Sequence, residues 1–196
     1  IKSKKELKKE IIKFKLFIKK NFWKKIIYIS TADVLHNLKN KSCYVKNKII
    51  IENLIKKNFN HYLILRLPQI IGKTNSNKTL INFIFLKIKN DKKIVLIKEF
   101  RRNILDIDDV VKAIKIIISD RKLKNKVITL SNKYFTKPIE IVKIFEKKLN
   151  KKANYVFKSF PKQNWPLNYK KNSKFFKKAN VRFNRNYLSK KINKYY

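Results

Sequence analysis

The 196-residue chain has one glycine, one cysteine, no methionine and only 12 carboxylate side chains. A single cysteine, Cys43, excludes a disulfide framework and a cysteine-based zinc site, and it fits a reducing compartment. One glycine, Gly72, excludes the Gly-x-Ser-x-Gly turn of a nucleophilic serine. No apolar run reaches 18 residues, so no transmembrane helix is expected. The opening residues, Ile1-Lys2-Ser3-Lys4-Lys5, lead into a charged amphipathic stretch rather than a signal peptide. They do not begin with Met, which suggests a fragment or a processed product. There is no internal repeat and no Gly/Ser-rich or Pro-rich linker. His36 and His61 have no partner at metal or triad spacing, and Asp106, Asp108 and Asp109 lack the spacing and glycine of a calcium loop. No metal site is expected, and the expected location is cytoplasmic.

Apolar residues make up 44% of the chain, with 14 Phe and 9 Tyr, enough for a folded core. Lys and Arg total 52, which gives a net charge of +40. Such a charge usually marks a nucleic-acid or anionic-membrane partner. Only six of the 52 are arginine, however, and the lysines are spread along the whole chain. Lys, Ile and Asn have A- and T-rich codons and Gly does not, so base composition explains the balance more simply. The charge still raises nonspecific affinity for polyanions at low salt.

Hydrophobic periodicity alternates between helix and strand, which argues for α/β. Leu7, Ile11, Phe14 and Ile18 share one face of a helix over 4–20. Ile26–Ile29 reads as a strand buried on both faces, Tyr44–Lys57 as a helix, and Tyr62–Leu67 as a second buried strand that Pro68 ends. A helix over 79–89 turns Leu80, Phe83, Ile84 and Ile88 inward, and strands follow over 93–97 and 103–107. Asp108 or Asp109 caps a helix ending near Ser119. A strand over 126–130, a helix from Pro138 to Leu149 with Pro in its first turn, and a strand over 153–157 complete the alternation. Beyond Pro161 and Pro166 the tail reads as one or two short basic helices. Strand–helix–strand units pair in parallel with right-handed crossovers, so an open, partly doubly wound sheet is expected.

Tyr44 and Lys48 are four residues apart and share a helix face. Lowering a phenol pKa from about 10 towards 7 takes roughly 4 kcal/mol. A cation about 4 Å away, at an effective dielectric near 20, supplies about that much. Such a pair can act as a general acid/base near neutrality. In so lysine-rich a chain chance alone supplies one or two such pairs, and there are two: Tyr44/Lys48 and Tyr187/Lys191. Only Tyr44 has the right neighbours. A strand ending in Ile29-Ser30-Thr31-Ala32-Asp33-Val34 precedes it, and a strand leading to Arg66-Leu67-Pro68-Gln69-Ile70-Ile71-Gly72 follows it.

This order resembles the extended short-chain dehydrogenase/reductases, which include nucleotide-sugar epimerases and dehydratases. Two later segments extend the likeness. Arg102-Asn103-Ile104-Leu105-Asp106-Ile107-Asp108-Asp109-Val110 resembles an Arg-Asp segment of that family, and Ser173-Lys174-Phe175-Phe176 with Val181-Arg182-Phe183 resembles its C-terminal Ser-Lys segment without the Leu-Gly.

The resemblance implies a C-terminal part of a Rossmann-like doubly wound parallel sheet plus a small α+β substrate lobe. Residues 1–72, with 103–130 returning, would form the first part, and 73–102 with 131–196 the lobe. Tyr44 would be the catalytic acid/base, Lys48 would tune it and hold the nicotinamide ribose, and Thr31 would bond the substrate oxygen. Pro68 would lie beside the nicotinamide of NAD or NADP. Gln69 and Arg102 would bind a nucleotide-sugar substrate, Arg102 at the diphosphate. Bland readings stand beside these: a strand-end hydroxyl for Thr31, a solvated side chain for Gln69, a surface cation for Arg102 and a helix cap for Asp109. A homodimer is compatible with this reading, though the sequence leaves the oligomeric state open, and no membrane partner and no specific nucleic acid are expected.

Departures from the family's pattern also matter. The family opens with a Gly-rich turn that lets the dinucleotide pyrophosphate approach the backbone. Gly72 lies well past that point, so roughly the first 100 residues of the pattern are missing. Thr31 and Tyr44 are closer in sequence than is usual for the extended type, which shortens a substrate-lining loop. Strand Ile26–Ile29 is expected to present an unpaired edge, and the isolated chain to be marginally stable. Three functions remain open: an NAD(P)-dependent nucleotide-sugar epimerase, dehydratase or reductase; a non-catalytic remnant of one; or a basic nucleic-acid-binding protein.

Overall fold

The computed structural model describes residues 4–21, 23–36, 41–74, 76, 79–160 and 166–196. Pro161 and residues 37–40 of the shortened loop lie outside them. Helix α1 (Lys4–Asn21) carries Glu6 in its first turn and Lys19 and Lys20 in its last, the order that suits its dipole. Strand β1 (Ile26–Thr31) ends in a 3-10 turn over Ala32–Leu35, and the Thr31 hydroxyl caps that turn. Helix α2 (Cys43–Asn58) starts at Ser42, whose Oγ accepts from the Val45 N–H at 3.3 Å. Strand β2 (Tyr62–Leu67) pairs in parallel with β1 from Ile26↔Tyr62 to Thr31↔Leu67.

Strand β6 (Lys126–Thr129) pairs in parallel with the other side of β2, so the order is β1-β2-β6. The central strand is the buried one: Leu63, Ile64 and Leu65 are all 0% exposed. The edge strand corrects the expectation of two covered faces. Ile27 and Ile29 are 37% and 44% exposed. The physical reason is that α1 and α2 cover only one face of β1. Ile26 and Tyr28 pack there with Phe14, Ile18, Ile51 and Ile55.

Pro68 ends β2 as its missing N–H requires, but the chain then resumes as β3 (Gln69–Ile71), an element the sequence did not reveal. Strand β3 pairs in parallel with β5 (Arg102–Asp106), which pairs antiparallel with the two-residue β7 (Phe135–Thr136). Strands β4 (Ile94–Ile97) and β8 (Tyr155–Lys158) form a separate parallel pair. Helices α3 (Leu80–Lys89) and α5 (Pro138–Leu149) pack together, with Ile81, Ile84, Ile88, Ile141, Val142 and Phe145 in one core. Phe83, expected to point inward, is 39% exposed, and Ile81 takes its place.

A second core joins Leu63 and Leu65 to helix α4 (Ile107–Ser119) and helix α6 (Tyr169–Lys178). Helix α7 (Tyr187–Tyr195) closes the first core through Leu188 and Ile192. The N-cap of α4 is Asp106, not Asp108 or Asp109, and its carboxylate makes no capping bond. That carboxylate is bound elsewhere, as described below.

Gly72 follows β3 where the chain runs close to the start of α4. A Cβ at this position would lie 2.8 Å from Ile107 Cγ2 and 3.3 Å from Ile107 Cβ. Close approach, rather than a left-handed backbone, therefore demands glycine here. Gly72→Ala is expected to destabilise the full-length protein by about 1–3 kcal/mol through overpacking. Adding Ile107→Ala should restore part of that loss in urea unfolding.

Candidate active site

The site begins with a buried carboxylate. Glu52, on α2, is 2% exposed and Ser30, on β1, is 4% exposed. Ser30 Oγ donates to Glu52 Oε1 at 2.6 Å. Arg66, opposite Ser30 on β2, donates from Nε to Oε1 at 3.0 Å and from Nη2 to Oε2 at 2.5 Å. A two-pronged guanidinium plus a hydroxyl satisfies a charge that burial would otherwise make costly. The three groups lock α2 to β1 and β2 at one register.

One turn N-terminal of Glu52 on the same helix is Lys48, and one turn further is Tyr44. Lys48 Nζ donates to the Ile29 carbonyl at 3.2 Å. It lies 4.7 Å from the Tyr28 ring centroid and 5.7 Å from that of Tyr44. The lysine is half-buried while Tyr44 is 44% exposed. The predicted pair therefore meets at the C-terminal end of β1.

Thr31 ends that strand, and its Oγ1 accepts from the Asp33 N–H at 3.2 Å. Leu67 is its neighbour across the ladder, so Pro68 and Gln69 leave the sheet at the same edge. Both are half-buried. Arg102 starts β5 with its guanidinium carbon 4.8 Å from the Phe100 ring centroid. Burial pulls its pKa below the usual value, and the Asp33 carboxylate opposes that pull. Asp33 thus brings the turn after β1 within electrostatic reach of Arg102. The edge beyond the carboxyl ends of parallel strands is where open α/β sheets bind ligands.

A cleft of about 990 Å³ lies elsewhere, between the segment after β6 and α6, and includes Phe135, Tyr169 and Phe183. Four of its thirteen lining residues are cationic, close to the share in the whole chain. None of the predicted site residues lines it. Among the described residues, no group of three His, Cys, Asp or Glu side chains could hold a metal ion. No described helix is long and apolar enough to cross a membrane.

The second Tyr-x-x-x-Lys pair, set aside as chance, forms a buried cluster instead. Tyr187 Oη donates to Asp109 Oδ2 at 2.8 Å and accepts from the Asp106 N–H at 2.9 Å. Lys191 Nζ is 2.7 Å from Asp106 Oδ2 and 2.8 Å from Asp109 Oδ2. Tyr195 Oη donates to Asp106 Oδ1 at 2.5 Å. The available signal was the i, i+4, i+8 spacing of Tyr187, Lys191 and Tyr195 on one helix face. Asp109 acts here as the partner of Tyr187 and Lys191, not as a cap.

The fold and this edge define an open parallel α/β protein with a Tyr–Lys pair where its strands end. Residues 24–130 match the model of the NAD dependent epimerase/dehydratase family, and the chain belongs to that family. Solved structures share the fold. UDP-glucuronic acid 4-epimerase from Bacillus cereus, in complex with UDP-glucuronic acid and NAD, matches at TM-score 0.71 and 22% identity over 86% of this chain and 59% of that one. dTDP-glucose 4,6-dehydratase from Bacillus anthracis str. Ames, with NAD, matches at 0.68 and 17% over 85% and 59%. UDP-glucose 4-epimerase from Thermus thermophilus, with NAD, matches at 0.62 and 12% over 77% and 57%. The chain therefore spans under two thirds of the length of each. No curated protein matches.

Two outcomes are expected. Glu52→Ala strands Arg66 without its buried partner and should cost about 3–5 kcal/mol in urea unfolding of the full-length protein. The second concerns alkaline pH. Burial holds the Tyr187 phenol neutral well above its ordinary 10.0. Burial alone would lower Lys191, but Asp106 and Asp109 raise it above 10.5. The unfolded chain releases both protons first, so the folded state binds more of them and stability falls as pH rises above about 10. Unfolding midpoints should decline as pH rises from about 10 to about 12, and Tyr187→Phe should flatten that decline.

Proposed function

We propose that this chain carries the acid/base part of an NAD(P)-dependent enzyme acting on a nucleotide sugar by epimerisation, dehydration or reduction. The observation that carries the reading is Lys48, held by the Ile29 carbonyl beside the Tyr44 ring at the end of β1. The same reading assigns residues 1–72 and 103–130 to the nucleotide-binding domain, and 73–102 and 131–196 to the substrate lobe.

The residues present fit one end of a dinucleotide. Exposed Tyr44, half-buried Lys48 and Pro68 at one strand edge suit a nicotinamide and its ribose. The pyrophosphate finds no glycine cradle among the described residues: the space a Cβ would take at the one glycine is filled by Ile107. When bound, the nicotinamide supplies hydride chemistry at a sugar carbon.

In this reading Tyr44 is the phenolate that the Lys48 ammonium stabilises, and it takes the proton from the sugar hydroxyl to become the phenol. Thr31 orients the sugar oxygen. Its Oγ1 lone pair is engaged by the Asp33 N–H, which leaves the hydroxyl proton available to donate. Arg102 grips the diphosphate as a fork, with Gln69 alongside. Ile12, Leu16 and Phe17 lie exposed along α1 at helical spacing, which supports pairing with a second copy.

A second reading, which the sequence leaves open, is a non-catalytic remnant of such an enzyme. One comparison separates the two. In the full-length protein Tyr44→Phe should lower turnover of a UDP- or dTDP-sugar about 10²–10⁴-fold while NAD affinity in a fluorescence titration stays near wild type. Retained turnover would overturn Tyr44 as the base. Absence of both turnover and NAD binding in the wild type would favour the remnant.

A further inference from the structure

Tyr28 touches the site from behind and has no role in the reading above. It lies two residues before Ser30, so both side chains leave β1 on the face that α2 covers. Its ring centroid is 4.7 Å from Lys48 Nζ, closer than the Tyr44 centroid at 5.7 Å. Phe14 of α1 packs against it at 6.2 Å between centroids. The Tyr28 hydroxyl is buried and makes no hydrogen bond with a described residue. Burial, with Glu10, Tyr44 and Glu52 nearby, raises its pKa far above the ordinary 10.0. The ring therefore stays a neutral, electron-rich face at any working pH.

We infer that Tyr28 is a positioning residue whose ring face, together with the Ile29 carbonyl, holds the Lys48 ammonium in place to act on Tyr44. The inference rests on the Tyr44–Lys48 reading. A lysine ammonium is a point charge on a flexible four-carbon stem, and ordering it costs rotamer entropy. A carbonyl takes one of its three N–H groups, and an aromatic face attracts the charge without consuming a donor. Precision matters because a cation favours phenolate strongly only within about 4–6 Å. The ring does this work, not the hydroxyl, so phenylalanine should serve and leucine should not.

The test uses the full-length protein with lysines reductively methylated by 13C-formaldehyde, and the Lys48 resonance assigned through Lys48→Arg. In wild type and in Tyr28→Phe, the ring faces should move that resonance upfield of the exposed-lysine envelope. In Tyr28→Leu it should return to the envelope. The limb of the kcat–pH profile that reports Tyr44 should stay in place for Tyr28→Phe and move to higher pH for Tyr28→Leu. Should Tyr28→Leu fail to fold, pentafluorophenylalanine at position 28 keeps the shape but withdraws charge from the ring face. The limb should then rise as well. A leucine variant with an unmoved Lys48 resonance and an unmoved limb overturns the inference, as does a phenylalanine variant that behaves like leucine. Retained turnover in Tyr44→Phe would overturn the parent reading instead, and the resonance would still report whether Tyr28 holds Lys48.

Discussion

A buried glutamate is the joint on which the candidate site depends. Glu52 receives Ser30 from β1 and two guanidinium N–H groups of Arg66 from β2. Without those partners its charge could not stay inside. With them, α2 can pack against the two strands in only one register. Lys48 and Tyr44 follow from that register, because they lie one and two turns N-terminal on the same helix. Lys48 then reaches the Ile29 carbonyl, next in the chain to Ser30.

The same economy runs through the chain. Only 12 carboxylates stand against 52 cations, and three of the 12 are buried at joints between elements: Glu52, Asp106 and Asp109. Glu52 binds α2 to the sheet, and the two aspartates bind α7 to the start of α4 through Tyr187 and Lys191. Exposed lysines repel one another weakly across water. A buried carboxylate with fixed donors acts at short range and low dielectric, so a few acids can order a chain with a net charge of +40.

Among the described residues, strand β1 has one ladder partner and one covered face, and Ile27 and Ile29 face outward. The matched epimerase is longer, with 59% of its length aligned here. The apolar run Ile26–Ile29 carries no period that could separate a strand covered on both faces from a strand covered on one. The sequence therefore places β1 but does not decide how many of its faces are covered.

Sequence alone determined the alternation of helix and strand, the parallel character of the sheet and the facing of Tyr44 and Lys48. These follow from local rules: apolar period, caps, Pro68 as a strand stop, and a four-residue spacing on a helix. Each end of α2 and α5 lies within one residue of its expected place for the same reason. Tertiary structure decided what local rules cannot carry. It paired β3 with β5, turned Ile81 rather than Phe83 inward, and joined Tyr187 to Asp109 across 78 residues and Lys191 to Asp106 across 85. It also set Tyr28 beneath Lys48. Partners so far apart meet only when packing closes the loops between them, and no spacing in the chain announces where that happens.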